Sequence, residues 1–233
     1  MGIIKLESKP AKFCPGCGYY LILNSLGKAL ADKGLADKSV FMTDIGCNLL
    51  AWDYFNLPST QTHHGRTVAT ATGYKLTTPE KTVCCLMGDG GGYAIGLQNL
   101  IHACLRDTPI TIIVANNLDY SMTGGQVSPT TLENQKTDST PFGKRVSVQG
   151  QTLFGPELLT KVASKEAYLA RTSTRKPQEI TEFVSKAIET QKSGHFALVE
   201  VISACPVNWR LEGTSLLTRI EELEKILPQG EIK

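Results

Sequence analysis

Short apolar, β-branched runs stop at Gly, Asp or Asn and give way to longer helical patterns, and this rhythm sets the strongest limit on how the chain folds. "SVFMTDIG" (39–46), "TVCCLMGDG" (82–90), "ITIIVANN" (110–117) and "HFALVEVIS" (195–203) read as strands, with "EAYLART" (166–172) a fifth. Each is almost continuously apolar, as a strand covered on both faces must be. Helical patterns alternate with them: 19–33, where Tyr19, Leu23, Leu26 and Leu30 share a face, then 91–107 and 177–192. The alternation predicts an α/β fold, a parallel sheet with helices on both faces. No repeat or linker interrupts the 233 residues, so a single domain over 1–233 is expected. The stretch 119–148 is rich in Gly, Thr, Ser and Pro and is expected to be a long functional loop.

Composition narrows the function. A net charge of +2 advertises neither nucleic acid nor an anionic membrane. No apolar run approaches the roughly 20 residues of a membrane span. The opening MGIIKLESKPAKF lacks a signal-peptide pattern and is expected to be a short unstructured lead. Leu6 stands where a myristoylation signal needs a hydroxyl. Seven cysteines without a secretion signal argue against a disulfide framework and for a cytoplasmic chain with reduced, buried or metal-bound thiols. Cys14-Pro-Gly-Cys17 alone fits half a zinc site, half an iron–sulfur site, a redox dithiol or one end of a disulfide. Cys84, Cys85 and Cys104 are expected in the core. His102, on an apolar helix face, and His195, at a strand start, are expected to be structural.

In open α/β sheets, ligands bind beyond the carboxyl ends of the strands. The unusual residues cluster there: 44–47, 88–92 and Asn116-Asn117. The glycines 90–92 let a phosphate approach the backbone at a helix start. Neither a Walker loop nor a dinucleotide fingerprint is present, because no Gly-Lys-Ser/Thr follows and Tyr93 occupies the third-glycine position. Asp89 inside this turn would repel a phosphate unless a cation lies between them, which makes it a natural Mg²⁺ ligand. Asn117, 28 residues later, could add a second oxygen.

Gly-Asp-Gly, helix, strand, Asn-Asn resembles the thiamine diphosphate signature of transketolase-like enzymes. Six blocks in order extend the likeness: FCPGCG, TDIGC, HGRTVATATGYKL, GDGGGYAIGLQNLIHA, NNLDYSMTGGQVSPTT and VEVISACP. From about Cys14 to Cys205 the chain is similar to the β subunit of 2-oxoacid:ferredoxin oxidoreductases of the 2-oxoglutarate or branched-chain type. The resemblance implies a pyrophosphate-binding domain with Mg²⁺ held by Asp89, Asn117 and the Asp119 carbonyl. It implies a 4Fe–4S cluster on Cys14, Cys17, Cys47 and Cys205, the terminal segments supplying ligands. It implies cofactor contacts from Ile45, Gly46, Cys47 and Asn48, from Gly88, Gly90 and Gly91, and from Ser121, Met122 and Thr123. His64, with Arg66, matches the family's His-Gly-Arg and would meet substrate or cofactor; His63 is extra. The activity implied is oxidative decarboxylation of a 2-oxoacid with coenzyme A, electrons leaving through the cluster to ferredoxin. The activating glutamate would lie on an α subunit with the pyrimidine-binding domain, and further γ and δ subunits occur among relatives.

The chain departs from the family in two places. Asn48-Leu49-Leu50 follows Cys47, where Ser is common. The leucines favour an apolar substrate side chain. Position 119 is Asp instead of an apolar residue, with its side chain expected to face solvent. Two other readings remain open: a non-redox thiamine decarboxylase subunit with a structural zinc, and a non-catalytic iron–sulfur electron-transfer subunit.

Overall fold

The computed structural model describes residues 2–5 and 12–233. Seven strands form one sheet in the order β2-β1-β3-β4-β6-β5-β7. These are β1 (Ser39–Thr43), β2 (Ser59–Gln61), β3 (Thr82–Gly88), β4 (Thr111–Asn116), β5 (Tyr168–Ser173), β6 (Ala197–Ile202) and β7 (Gly230–Glu231). The first six pair in parallel and β7 closes the β5 edge antiparallel. The longer helices are α1 (Tyr19–Asp32), α2 (Thr67–Thr77), α3 (Leu97–Leu105), α6 (Pro177–Lys192) and α8 (Thr214–Ile226). The short ones are α4 (Val146–Gln149), α5 (Gly155–Leu159) and α7 (Pro206–Trp209).

Alternation along the strands builds two apolar layers. Phe41, Cys84, Leu86 and Ile113 pack with α1 and α6. Val40, Met42, Cys85, Met87, Ile112 and Val114 pack with α2 and α3. Cys84 and Cys85 therefore serve opposite faces, and Cys104 is buried as expected. A third cluster seats Leu216, Ile220 and Leu223 of α8 against Leu118 and Ile202.

Several expectations change. Of the N-terminal lead, residues 6–11, including Leu6, lie outside the described residues. Residues 2–5, however, are paired: Ile4 bridges Phe55, and the Asn56 N–H donates to the Ile3 carbonyl at 2.7 Å. Burial of Ile3 anchors this segment. His102 is exposed, since the apolar face of α3 is made by Leu100, Ala103 and Cys104. The loop after β4 is not continuous coil but carries α4 and, beyond residue 150, α5.

Candidate active site

The carboxyl ends of β1, β3 and β4 lie side by side. The register pairs Thr43 with Leu86 and Gly88 with Ala115, so the segments 44–48, 88–92 and 116–123 meet. They enclose a cavity of about 300 Å³. Ile45, Gly46, Cys47 and Asn48 line one wall, and Gly88, Asp89, Gly90 and Gly91 line another. Asn117, Asp119, Ser121, Met122 and Thr123 complete it, with His64 at the mouth. Sequence reasoning overlooked Tyr19, Ala94, Ile95 and Tyr120, which also line it. Their positions follow from helix and strand pairings that no local pattern encodes.

The glycine turn is tight. A Cβ at Gly90 would lie 2.6 Å from the Tyr120 ring, so only glycine admits that ring. Asp89 is buried. Its Oδ2 accepts hydrogen bonds from Ser128 Oγ at 2.7 Å and Thr130 Oγ1 at 2.6 Å. Burial pushes its pKa up to about 7, against the lowering effect of these hydroxyls. Such a carboxylate has a use for a cation.

Asn117 donates through Nδ2 to Ser121 Oγ. Among the described residues nothing donates to its Oδ1 or to the Asp119 carbonyl, so both oxygens are free. Between them Leu118 adopts φ 62°, a left-handed conformation costly for a bulky residue. It is held there by its N–H to Asn116 Oδ1 at 3.0 Å and by its carbonyl, which accepts from Thr131 Oγ1 at 2.7 Å. Contrary to expectation, the Asp119 side chain is buried: its Oδ1 accepts from Ser121 Oγ at 2.5 Å and from Asn208 Nδ2 at 3.3 Å. Burial raises its pKa.

Asn48 is buried and donates through Nδ2 to the carbonyls of Asp44 (2.8 Å) and Leu86 (3.2 Å). Its Oδ1 has no partner. An orphaned acceptor on the cavity wall suits a ligand that brings a donor. The donor set thus fits Mg²⁺ with a diphosphate, and the wall fits a polar ring.

The four cysteines from distant segments converge beside this cavity. Cys14, Cys17, Cys47 and Cys205 all lie within electrostatic reach of one another. Burial pushes the thiols of Cys17 up to about 12 and of Cys47 up to about 11, and raises Cys205 as well. Among the described residues no three of these sulfurs lie within 4.8 Å of one another. A single tetrahedral zinc ion, with Zn–S of about 2.3 Å, needs sulfurs about 3.8 Å apart. Tyr19 stands between the two centres: its buried ring lines the cavity and lies near Cys17, Cys47, Cys205 and Asp89.

Two predicted features fall elsewhere, and His195, expected to be structural, lies off the site. Arg66 does not line the cavity; its Nη1 donates to the carbonyls of Gly65 (3.3 Å) and Ile95 (3.2 Å), pinning one loop to the other. Neither Leu49 nor Leu50 reaches the cavity, and Leu50 packs against the α1 layer, so neither speaks to the substrate side chain. His195 Nδ1 pairs with Asp107 Oδ2 at 2.7 Å, remote from the site.

Residues 44–201 match the family model "Thiamine pyrophosphate enzyme, C-terminal TPP binding domain", which defines the class of this fold and site. The 2-oxoglutarate synthase subunit KorB of Archaeoglobus fulgidus is 36% identical over 94% of this chain and 79% of its own length. The ketoisovalerate oxidoreductase subunit VorA of Methanothermobacter thermautotrophicus is 33% identical over 93% of this chain and 46% of its own length. Among solved structures, 2-oxoglutarate:ferredoxin oxidoreductase from Magnetococcus marinus, with 2-oxoglutarate, coenzyme A and succinyl-CoA bound, aligns with TM-score 0.80 and 28% identity. That alignment covers 88% of this chain and 67% of the other. The chain belongs to the family of β subunits of 2-oxoacid:ferredoxin oxidoreductases.

Proposed function

We propose that this chain binds thiamine diphosphate through Mg²⁺ on Asp89, Asn117 Oδ1 and the Asp119 carbonyl, and a 4Fe–4S cluster on Cys14, Cys17, Cys47 and Cys205. With an α subunit that completes the site, it converts a 2-oxoacid and coenzyme A to acyl-CoA and CO₂ in the cytoplasm, passing electrons to ferredoxin. Among the described residues no helix is long and apolar enough to cross a membrane. The observation that carries the redox reading is Cys47: it lines the cavity and also belongs to the cysteine quartet. A structural zinc would have no need of a ligand in the cofactor wall.

When bound, thiamine diphosphate supplies the electron sink for decarboxylation. The chain's own residues do the rest. Asp89 and Asn117 would hold a cation that neutralises the diphosphate. The glycine turn would offer it backbone N–H groups at a helix start. Asn48 Oδ1, without a partner, would accept a hydrogen bond from a donor of the cofactor. Ile45 and Met122, both partly exposed, would form an apolar rim.

The test is metal and sulfide analysis of the anaerobically purified chain. About four irons and four sulfides per chain are expected, with broad visible absorbance. Cys47→Ser should lose most of the iron, whereas Cys84→Ser should keep it. One zinc and no sulfide would move the reading to a non-redox decarboxylase.

A further inference from the structure

Asp44 opens the 44–47 segment that the sequence singled out, though no role was expected of it; it does not line the cavity but lies against His64, which does. It follows β1, has a fully buried side chain, and uses both oxygens. Oδ1 accepts the Gly65 N–H at 2.7 Å and Oδ2 lies 3.3 Å from His64 Nδ1. A Cβ at Gly91 would lie 1.8 Å from Oδ2, so this glycine leaves the space that the carboxylate occupies beside the cofactor turn. The loop facing it is held as well: Asn99 Nδ2 donates to the Gly65 carbonyl at 2.9 Å. His64 is 46% exposed by its side chain and lies at the cavity mouth.

We propose that Asp44 is a positioning residue that fixes the tautomer and aim of His64, so that Nδ1 carries the proton and Nε2 presents a lone pair to the substrate cavity. The argument is one of donors and acceptors. A neutral imidazole has one donor nitrogen and one acceptor nitrogen. An ionised carboxylate only accepts, so the nitrogen facing it must be the donor. The arrangement makes His64 an acceptor for a proton of the substrate or of coenzyme A, and denies it the opposite polarity. The charged and titratable groups facing the pair are few. Cys85 of β3 lies near Asp44 with a buried thiol, and Arg66 is turned to the carbonyls of Gly65 and Ile95. Burial raises the Asp44 pKa, while the Gly65 N–H, His64 and the Ile45 N–H oppose that rise. This proposal rests on the reading of the cavity as the thiamine site for its use in catalysis, but its geometry stands without it.

The test labels histidine with ¹⁵N in the full chain assembled with its α subunit. The chain has four histidines, and His64→Gln assigns the signal. At a pH where the ring is neutral, the shifts should show the proton on Nδ1 of His64. A proton on Nε2 would mean that Asp44 is the donor, and the proposal fails. In Asp44→Asn the preference should shift to Nε2–H, and kcat should fall about 100-fold or more, the scale of a mispositioned base, with thiamine diphosphate affinity unchanged. Equal loss of cofactor affinity would make Asp44 merely structural. Should Asp44→Asn not fold, the wild-type tautomer alone decides. A complex without thiamine binding would sink the proposed function and leave the tautomer result intact.

Discussion

At the scale of single residues, Asp89, as the proposed Mg²⁺ ligand, would set the pH response of the site. Its pKa is raised to about 7, so below that pH a buried proton occupies the place a cation needs. Affinity for Mg²⁺ with thiamine diphosphate should fall by about tenfold per pH unit below 7 and level off above 8. Titrations between pH 5.5 and 8.5 check this, and a flat profile would remove Asp89 as the ligand. Asp89→Asn should lose most of the affinity together with its pH dependence. Gly90 is the second such position: Gly90→Ala would drive a methyl into the Tyr120 ring, and about a tenfold or larger loss of cofactor affinity is expected. Asp89, Asn117 and the glycines, which line the cavity, stood out in the sequence because phosphate and cation chemistry restricts residue type. Tyr120 and Ser128 did not, because they act through positions that only folding brings near.

At the scale of elements, the short helix α7 links the cysteine quartet to the cavity wall. It starts just after Cys205, and its Trp209 Nε1 donates to the Asn117 carbonyl at 3.1 Å while Asn208 reaches Asp119 and the Ser121 carbonyl. The Cys205 loop and the loop 117–121 are thus tied by one turn. Trp209→Phe removes a hydrogen bond worth about 1 kcal/mol without emptying the space. Thiamine diphosphate should bind several-fold more weakly, and iron should be lost faster to a chelator; an unchanged variant in both assays would mean the two loops stand independently. The four central parallel strands were legible, since each is a continuous apolar run. Both β2 and β7 were not, being only three and two residues long. Helix α8 was not read either: its buried face, Leu216, Ile220 and Leu223, packs on Leu118 and Ile202, a cluster that only folding assembles.

At the scale of the whole molecule, a buried ion network fastens β5 to β6 and to the C-terminal segment. Arg171 donates through Nε to Glu200 Oε1 at 2.5 Å, and through Nη1 and Nη2 to Glu157 at 2.5 and 2.7 Å. A fourth bond runs to the Pro228 carbonyl at 3.1 Å. Arg171 and Glu200 are fully enclosed, so removing the arginine strands a buried carboxylate. Arg171→Met should destabilise the chain by about 3–5 kcal/mol, whereas the double variant Arg171→Met with Glu200→Leu should recover much of that loss. Chemical denaturation of the chain measures both.

The sequence by itself determined the parallel α/β sheet and singled out the glycine turn and the cysteines that converge beside the cavity, because apolar periodicity and ligand chemistry are local and demand particular residues at particular spacings. Only the tertiary structure decided that Arg66 is a loop pin, that Leu49 and Leu50 lie off the cavity, and that the Asp119 side chain is buried. It alone put Asp44 behind His64 and Tyr19 between the cysteines and the cofactor wall. Those outcomes depend on which strand ends become neighbours and which way each loop turns after them, and a side chain's direction is set by packing partners far away in the chain.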